Sequence, residues 1–123
     1  MSFSSLGISI GFQAGQTLQQ YNSIAIGSSA GANNQGQISI AIGSDSGSIY
    51  QSQNSIAIGY RAAYRVQHPN SIVINATGSE LQSAGSGTLV IQSLRQVTGG
   101  SIPSGFYQVA WNPTTGEMIV VTP

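Results

Sequence analysis

The sequence predicts an all-β protein built as a parallel β-roll, or solenoid, with 16-residue rungs, and three observations support this. A short apolar motif occurs five times at a constant spacing of 16 residues, as GISIG (7–11), SIAIG (23–27, 39–43 and 55–59) and SIVIN (71–75). Within each copy the residues alternate with the period of a β-strand. The 11 residues between copies are rich in Gly, Ser, Asn and Gln, which disfavours intervening helices. Such a tandem repeat indicates stacked coils.

Isoleucine fills the second and fourth positions of all five copies. We expect these side chains to point into the coil, because β-branched apolar residues on one face of a strand usually mark its buried side. They would form a structural core ladder of Ile8, Ile10, Ile24, Ile26, Ile40, Ile42, Ile56, Ile58, Ile72 and Ile74. The small residues between them are expected to point outward: Ser9, Ala25, Ala41, Ala57 and Val73.

Turn-forming residues recur around each strand. Glycine is the last residue of the first four copies and Asn75 is the last residue of the fifth, which predicts a corner with positive φ. Small residues three and four positions later predict a second corner or a close backbone contact. Asparagine precedes three of the strands, at 22, 54 and 70, where it is expected to close a turn or to stack as a side-chain ladder.

The C-terminal third breaks the phase of the repeat. GTLVIQSL (87–94) predicts one more strand, one residue out of register, and FYQVAW (106–111) and EMIVV (117–121) flank a Pro- and Gly-containing loop typical of a β-hairpin. We therefore divide the chain into a β-roll repeat domain, 1–86, and a C-terminal strand and hairpin cap, 87–123. Trp111 is interpreted as part of that cap rather than as a platform for a sugar.

The thin coil favours association. The isoleucines of one chain bury little apolar surface compared with the conformational entropy of ordering the coil. Repeat stacks need caps or partners to close their open surfaces. We therefore expect several parallel chains to share a central core.

Composition excludes several classes of function. Charged residues make up 5% of the 123 residues and the formal net charge is zero, so neither nucleic acid nor an anionic membrane surface is an expected partner. No stretch approaches the roughly 18 apolar residues of a membrane span, so no membrane insertion is expected. Cysteine is absent, which excludes thiolate metal sites. The N-terminus has no secretory signal pattern, and no cofactor is predicted.

No catalytic constellation can be assembled, and the chain is predicted not to be an enzyme. Asp45, Glu80 and Glu117 share no column of the repeat, so no acid–base pair results. His68 is the single histidine, and we interpret it as a solvated residue of an outer turn. A threefold metal site from three copies of His68 is the alternative, and no metal is predicted.

The segment YRAAYR (60–65) is the candidate recognition belt. It gathers Tyr60, Arg61, Tyr64 and Arg65, and tyrosine and arginine are frequent at binding hot spots. The alternative, which we prefer, is an outward column that varies freely, with Arg65 only solubilising the surface.

The repeats at about 7–79 resemble the head repeats of trimeric autotransporter adhesins, the YadA-like head family. That resemblance implies a left-handed parallel β-roll, a homotrimer around a common axis, and adhesion to host surfaces. The C-terminal combination of NSIVINATGSEL with GFYQVAWNPTTGEMIVV is similar to a module of phage tail-fibre proteins and of virion proteins of large DNA viruses, which also implies a trimer.

The resulting functional hypothesis is a non-enzymatic structural virion protein, on the capsid surface or in a fibre. It would serve assembly and display, with host attachment as a candidate further role. Expected partners are two further copies, other virion proteins, and a host-surface glycan or protein. The alternative is the head fragment of a bacterial trimeric adhesin, located on the bacterial cell surface.

Overall fold

The computed structural model describes residues 6–92, 104–105, 108–112 and 114–121. These residues form ten β-strands: β1 (Ile8–Ile10), β2 (Ile24–Ile26), β3 (Ile40–Ile42), β4 (Tyr50–Gln51), β5 (Ile56–Ile58), β6 (Val66–Gln67), β7 (Ile72–Asn75), β8 (Leu89–Gln92), β9 (Gln108–Trp111) and β10 (Met118–Val121). Within these ranges no helix is long and apolar enough to cross a membrane.

The main sheet is parallel and contains six strands in the order β1-β2-β3-β5-β7-β8. Ile8 pairs with Ile24, and the same 16-residue offset relates each strand to the next as far as β7. The chain is therefore a β-solenoid of about five stacked coils, as predicted. The step from β7 to β8 pairs Ile72 with Leu89, which confirms that β8 lies one residue out of the 16-residue register. The division into 1–86 and 87–123 stays a prediction.

A second, smaller parallel sheet lies across each coil from the main one. Strands β4 and β6 pair there, with Tyr50 opposite Val66. Isolated bridges from Gln35 to Gln51 and from Thr17 to Asn33 extend the pairing toward the N-terminus. Each coil is thus held to its neighbours at two places.

The side chains of the main sheet point the opposite way from the sequence prediction. The small residues between the isoleucines are completely buried from β2 to β7: Ala25, Ala41, Ala57 and Val73. Because neighbouring side chains of a strand point to opposite faces, the isoleucines point away from the interior of the coil; Ile10 is 60% exposed and Ile42 36%. The ladders are confirmed by the strand register, but the prediction that they point into the coil is wrong.

The isoleucines lie outside because glutamine amides occupy the interior. Gln35, Gln51 and Gln67 are fully buried. Each Nε2 donates a hydrogen bond of 2.7 Å to the main-chain oxygen of a strand residue 11 positions earlier, namely Ile24, Ile40 and Ile56. An amide that spans the coil in this way leaves room only for a small residue opposite it.

The same amides also link successive coils. Gln35 Nε2 donates to Gln51 Oε1 at 3.2 Å, and Gln51 Nε2 donates to Gln67 Oε1 at 3.0 Å. These three residues form what we call the amide ladder. In the fifth coil Ser83 occupies the position of the glutamines, and Val73 occupies the position of the alanines. The inward-pointing strand residue is therefore larger where the long amide side chain is absent.

The predicted corners are confirmed in the first four coils. Gly11, Gly27, Gly43 and Gly59 have φ between 109° and 130°, and a Cβ on Gly27 would lie 2.7 Å from the backbone of Gly43. The second corner has φ of 51–58° at Gly15, Gly31, Gly47 and Ala63.

The prediction of a positive-φ corner at Asn75 is wrong, because the fifth strand continues through this residue. Asn75 is the last residue of β7, and its side chain is buried. Nδ2 donates to the main-chain oxygens of Tyr60 and Ser79, at 2.7 and 2.6 Å. The asparagine thus joins two coils through its side chain where glycine joins them by close backbone contact.

The asparagine column closes turns and also stacks, so both predicted roles are confirmed. Asn22, Asn54 and Asn70 have φ of 54–57°, in the left-handed region that asparagine tolerates best among side-chain-bearing residues. Asn54 Nδ2 donates to Asn70 Oδ1 at 3.3 Å. Ile38 occupies the same column with φ of 55°, which is unfavourable for a β-branched residue.

The C-terminal hairpin is also confirmed. Strands β9 and β10 pair antiparallel, and the main-chain oxygen of Asn112 accepts the Gly116 N–H at 2.9 Å. Asn112 Oδ1 accepts the Thr114 N–H at 2.9 Å, as is common in Asx-turns. Phe106 and the side chain of Trp111 lie outside the described residues, and the role of the hairpin as a cap stays a prediction.

Replacing Ile38 by asparagine should stabilise the protein. Ile38→Asn relieves a left-handed backbone that costs about 1 kcal/mol for a β-branched residue, and it loses little burial because Ile38 is 54% exposed. We expect a melting temperature several degrees higher by calorimetry. The reverse exchange, Asn54→Ile, should lower it. An unchanged or lower melting temperature for Ile38→Asn would contradict the strain at this position.

Removing one amide of the ladder should destabilise the protein strongly. Gln51→Ala removes the amide that donates to the Ile40 carbonyl and to Gln67 Oε1 and that accepts one N–H of Gln35. In this buried site an unsatisfied polar group costs about 1–3 kcal/mol. Gln53→Ala is the matched control, because Gln53 is exposed and its amide hydrogen bond to Gln37 lies at the surface. Urea unfolding should show a large loss of free energy for Gln51→Ala only, and equal losses for the two variants would refute the ladder.

Candidate functional site

The outward columns of the main sheet form a continuous apolar surface, which we call the isoleucine face. It consists of the ten ladder isoleucines together with Leu89 and Ile91 of β8, which are 49% and 39% exposed. Six parallel strands at about 4.8 Å spacing give it a length of about 24 Å. No charged residue occurs in the strands that carry it.

An open apolar face of this kind is typical of a protein–protein contact. Parallel sheets are normally covered on both faces, and monomeric proteins rarely expose a large contiguous apolar patch. Here the inner face of the sheet is covered by the amide ladder, whereas the outer face is open in the single chain. The structure therefore presents its main apolar surface outward.

The predicted recognition belt is organised around Arg61. The guanidinium carbon of Arg61 lies 4.8 Å from the centre of the Tyr64 ring and 5.6 Å from that of the Tyr60 ring, within the range of cation–π attraction. Its Nε lies 3.9 Å from Asp45 Oδ2, one coil earlier. The structure thus brings together three of the four belt residues and adds Asp45, which the sequence analysis does not connect with the belt.

Arg65 is held separately from the other belt residues. Its Nε lies 3.2 Å from Glu80 Oε1, and its side chain is 68% exposed. Such surface ion pairs contribute little to stability, typically about 0–1 kcal/mol. Both arginines of the belt therefore face a carboxylate, and the recognition role of the belt stays a prediction.

The residues considered for catalysis or metal binding are dispersed. Asp45 and Glu80 face arginines, and Glu117 lies in the turn between β9 and β10. His68 is exposed, and its Nδ1 lies 2.8 Å from Ser83 Oγ. Among the described residues no three His, Cys, Asp or Glu side chains are grouped as metal ligands would be. The absence of catalysis stays a prediction.

The glutamine column is the structural feature that sequence reasoning missed. Glutamine recurs at 19, 35, 51 and 67, with the same 16-residue spacing as the isoleucines. This spacing is the sequence signal from which the buried glutamines could have been predicted. Buried hydroxyls recur in the same way, since Ser39 and Ser55 each donate to a carbonyl three residues earlier, at 2.6 and 2.5 Å.

Comparison with family models, with curated proteins and with solved structures finds no match to this chain.

Proposed function

We propose that the chain is a non-enzymatic structural protein of a virion, in the capsid surface or a fibre, and that it acts in assembly and display as a homotrimer of left-handed β-rolls. The observation that carries this proposal is the isoleucine face. A surface of this length and apolarity lowers its free energy when another apolar surface covers it.

The periodicity of the face favours further copies of this chain as the covering surface. The same residue types recur at each of the first five coils, so copies aligned in parallel and in register present the same apolar residues at every level. Closed rotational symmetry is the usual outcome when identical chains associate. The number of three chains and the hand of the coil are taken from the resemblance to YadA-like heads.

The assignment to a virion rests on the C-terminal module. The rung SIVIN followed by the hairpin around Asn112–Gly116 is similar to modules of phage tail fibres and large DNA virus virion proteins. An open cleft of about 480 Å³ is bordered by Ile72 and Leu89 of the main sheet and by Gly116 and Met118 of the hairpin. This proximity supports a capping role for the hairpin at the C-terminal end of the stack.

The head of a bacterial trimeric adhesin is the second candidate, favoured by the tandem SIAIG repeats. It shares the trimeric roll and differs in cellular location. In both cases the scaffold would present its variable positions at the surface, including the belt at 60–65, for attachment to a host glycan or protein. Neighbouring genes for capsid and packaging proteins would favour the virion, and a downstream membrane anchor would favour the adhesin.

A charge on the isoleucine face should prevent assembly. Ile58→Asp or Ile40→Asp would place a carboxylate against the apolar face of a neighbouring chain, where an unpaired charge is strongly unfavourable. Light scattering with mass determination should give three times the chain mass for the unaltered protein and a lower mass for either variant.

Ser44→Asp is the matched control, because Ser44 is exposed and lies outside the ladder columns. This variant should keep the trimeric mass. A stable folded monomer of the unaltered protein, or a trimeric mass for Ile58→Asp, would contradict the proposed assembly.

The location is tested in the virus itself. Purified particles should contain the protein in fixed stoichiometry after density-gradient separation, and mass spectrometry of the particle proteins measures this. Its absence from purified particles would refute the virion assignment without affecting the assembly test.

A further inference from the structure

An uncharged cleft lies at the turn that leads from the second sheet into the strands of the main sheet. Its volume is about 450 Å³, and it extends from Gln20 in the first coil to Pro69 in the fourth. Three coil spacings correspond to about 14 Å, which is long enough for a short oligosaccharide. No ladder isoleucine and no belt residue lines it.

Amide side chains supply the polar groups of this cleft. Gln37 Nε2 donates to Gln53 Oε1 at 3.1 Å, and Asn34 lies beside them. Because a primary amide has two N–H donors and an oxygen with two lone pairs, this pair keeps a donor on Gln53 and an acceptor on Gln37 for a ligand. Sugar hydroxyls both donate and accept hydrogen bonds, so neighbouring amides suit them.

Tyr50 supplies an aromatic wall. Its side chain is 57% exposed, and it starts β4 on the outer side of the second sheet while Gln51 beside it points inward. An exposed tyrosine offers an apolar ring with a polar end. The C–H face of a pyranose can pack on such a ring while its hydroxyls reach the amides.

Gly36 allows the second and third coils to approach each other closely beside the cleft. A Cβ there would lie 2.6 Å from Gln53 N and from Ser52 C in the next coil, so a side chain would collide with the backbone. The equivalent column holds Gln20, Ser52 and His68 in the neighbouring coils. The close backbone contact at Gly36 is therefore not repeated at this column of the neighbouring coils.

We propose that this cleft binds a neutral oligosaccharide. No Asp, Glu, Lys, Arg or His is among the described residues that line it, so a charged sugar would be desolvated without a counter-charge. The aromatic ring offers a surface on which a sugar ring can pack, and the amide groups offer hydrogen bonds to its hydroxyls. The proposal specifies the ligand class of the host-attachment role and rests on the proposed function for its biological meaning.

The test uses the full assembled protein and two neutral probes, cellohexaose and N-acetylchitohexaose, with oligogalacturonate as the acidic probe. Titration by NMR and calorimetry should show weak, saturable binding of a neutral probe and none of the acidic one. Tyr50→Ala and Gln53→Ala should each weaken binding about tenfold. Circular dichroism and light scattering establish that each variant is folded and assembled as the unaltered protein is.

Phe12→Ala is the matched control, since Phe12 is an exposed aromatic residue that belongs neither to the cleft nor to the belt. It should bind like the unaltered protein. The proposal is overturned if no neutral probe binds up to its solubility limit, if Tyr50→Ala and Gln53→Ala bind normally, or if Phe12→Ala alone loses binding. Detection in virus particles is independent of these outcomes, so the two proposals fail separately.

Discussion

The hydrogen bond from each buried glutamine to the carbonyl across its coil determines the arrangement of the other side chains. Gln35, Gln51 and Gln67 each span the interior with a 2.7 Å bond. The residue facing such an amide must be small, so the middle strand position is alanine. Because strand side chains alternate, the isoleucines on either side are directed outward. The interior is thus polar and hydrogen-bonded at its centre, and the apolar residues face the surroundings.

The outward direction of the isoleucines links the fold to its proposed function. A solenoid with isoleucine inside would cover its main apolar surface within one chain, whereas this one leaves its largest apolar surface uncovered. In the proposed trimer, copies of the chain would cover that surface and turn a thin coil into a thicker shaft with an apolar centre. Recognition would then fall to surfaces outside the ladder, where the repeat varies, such as the belt around Arg61 and the cleft beside Tyr50.

The strands of the main sheet, their register, the corners of the first four coils and the hairpin follow from the sequence, because a period of 16 residues and turn residues such as Gly27 and Asn54 specify them locally. The second sheet and the end of the fifth strand are not predicted. Which face of each strand points into the coil does not follow from the sequence. A period of two residues is compatible with either face being inside, and hydrophobicity alone predicts that the isoleucines are the buried residues. The buried amide of Gln51 and its equivalents occupy the interior, so the isoleucines point outward. The contact of Arg61 with Asp45 joins neighbouring coils, and the cleft combines residues of four coils, from Gln20 to Pro69, so neither corresponds to a local sequence motif.

Single cysteine substitutions test the central claim most directly, because the natural chain contains no cysteine. Ala41→Cys and Ile42→Cys place a thiol at adjacent positions of β3, one inside the coil and one on the isoleucine face. With a short bismaleimide, the Ile42→Cys variant should give covalently linked chains in high yield, and the Ala41→Cys variant should remain unmodified until the protein is unfolded. Efficient linking of the Ala41→Cys variant, with none for the Ile42→Cys variant, would show that isoleucine points inward and would contradict this account.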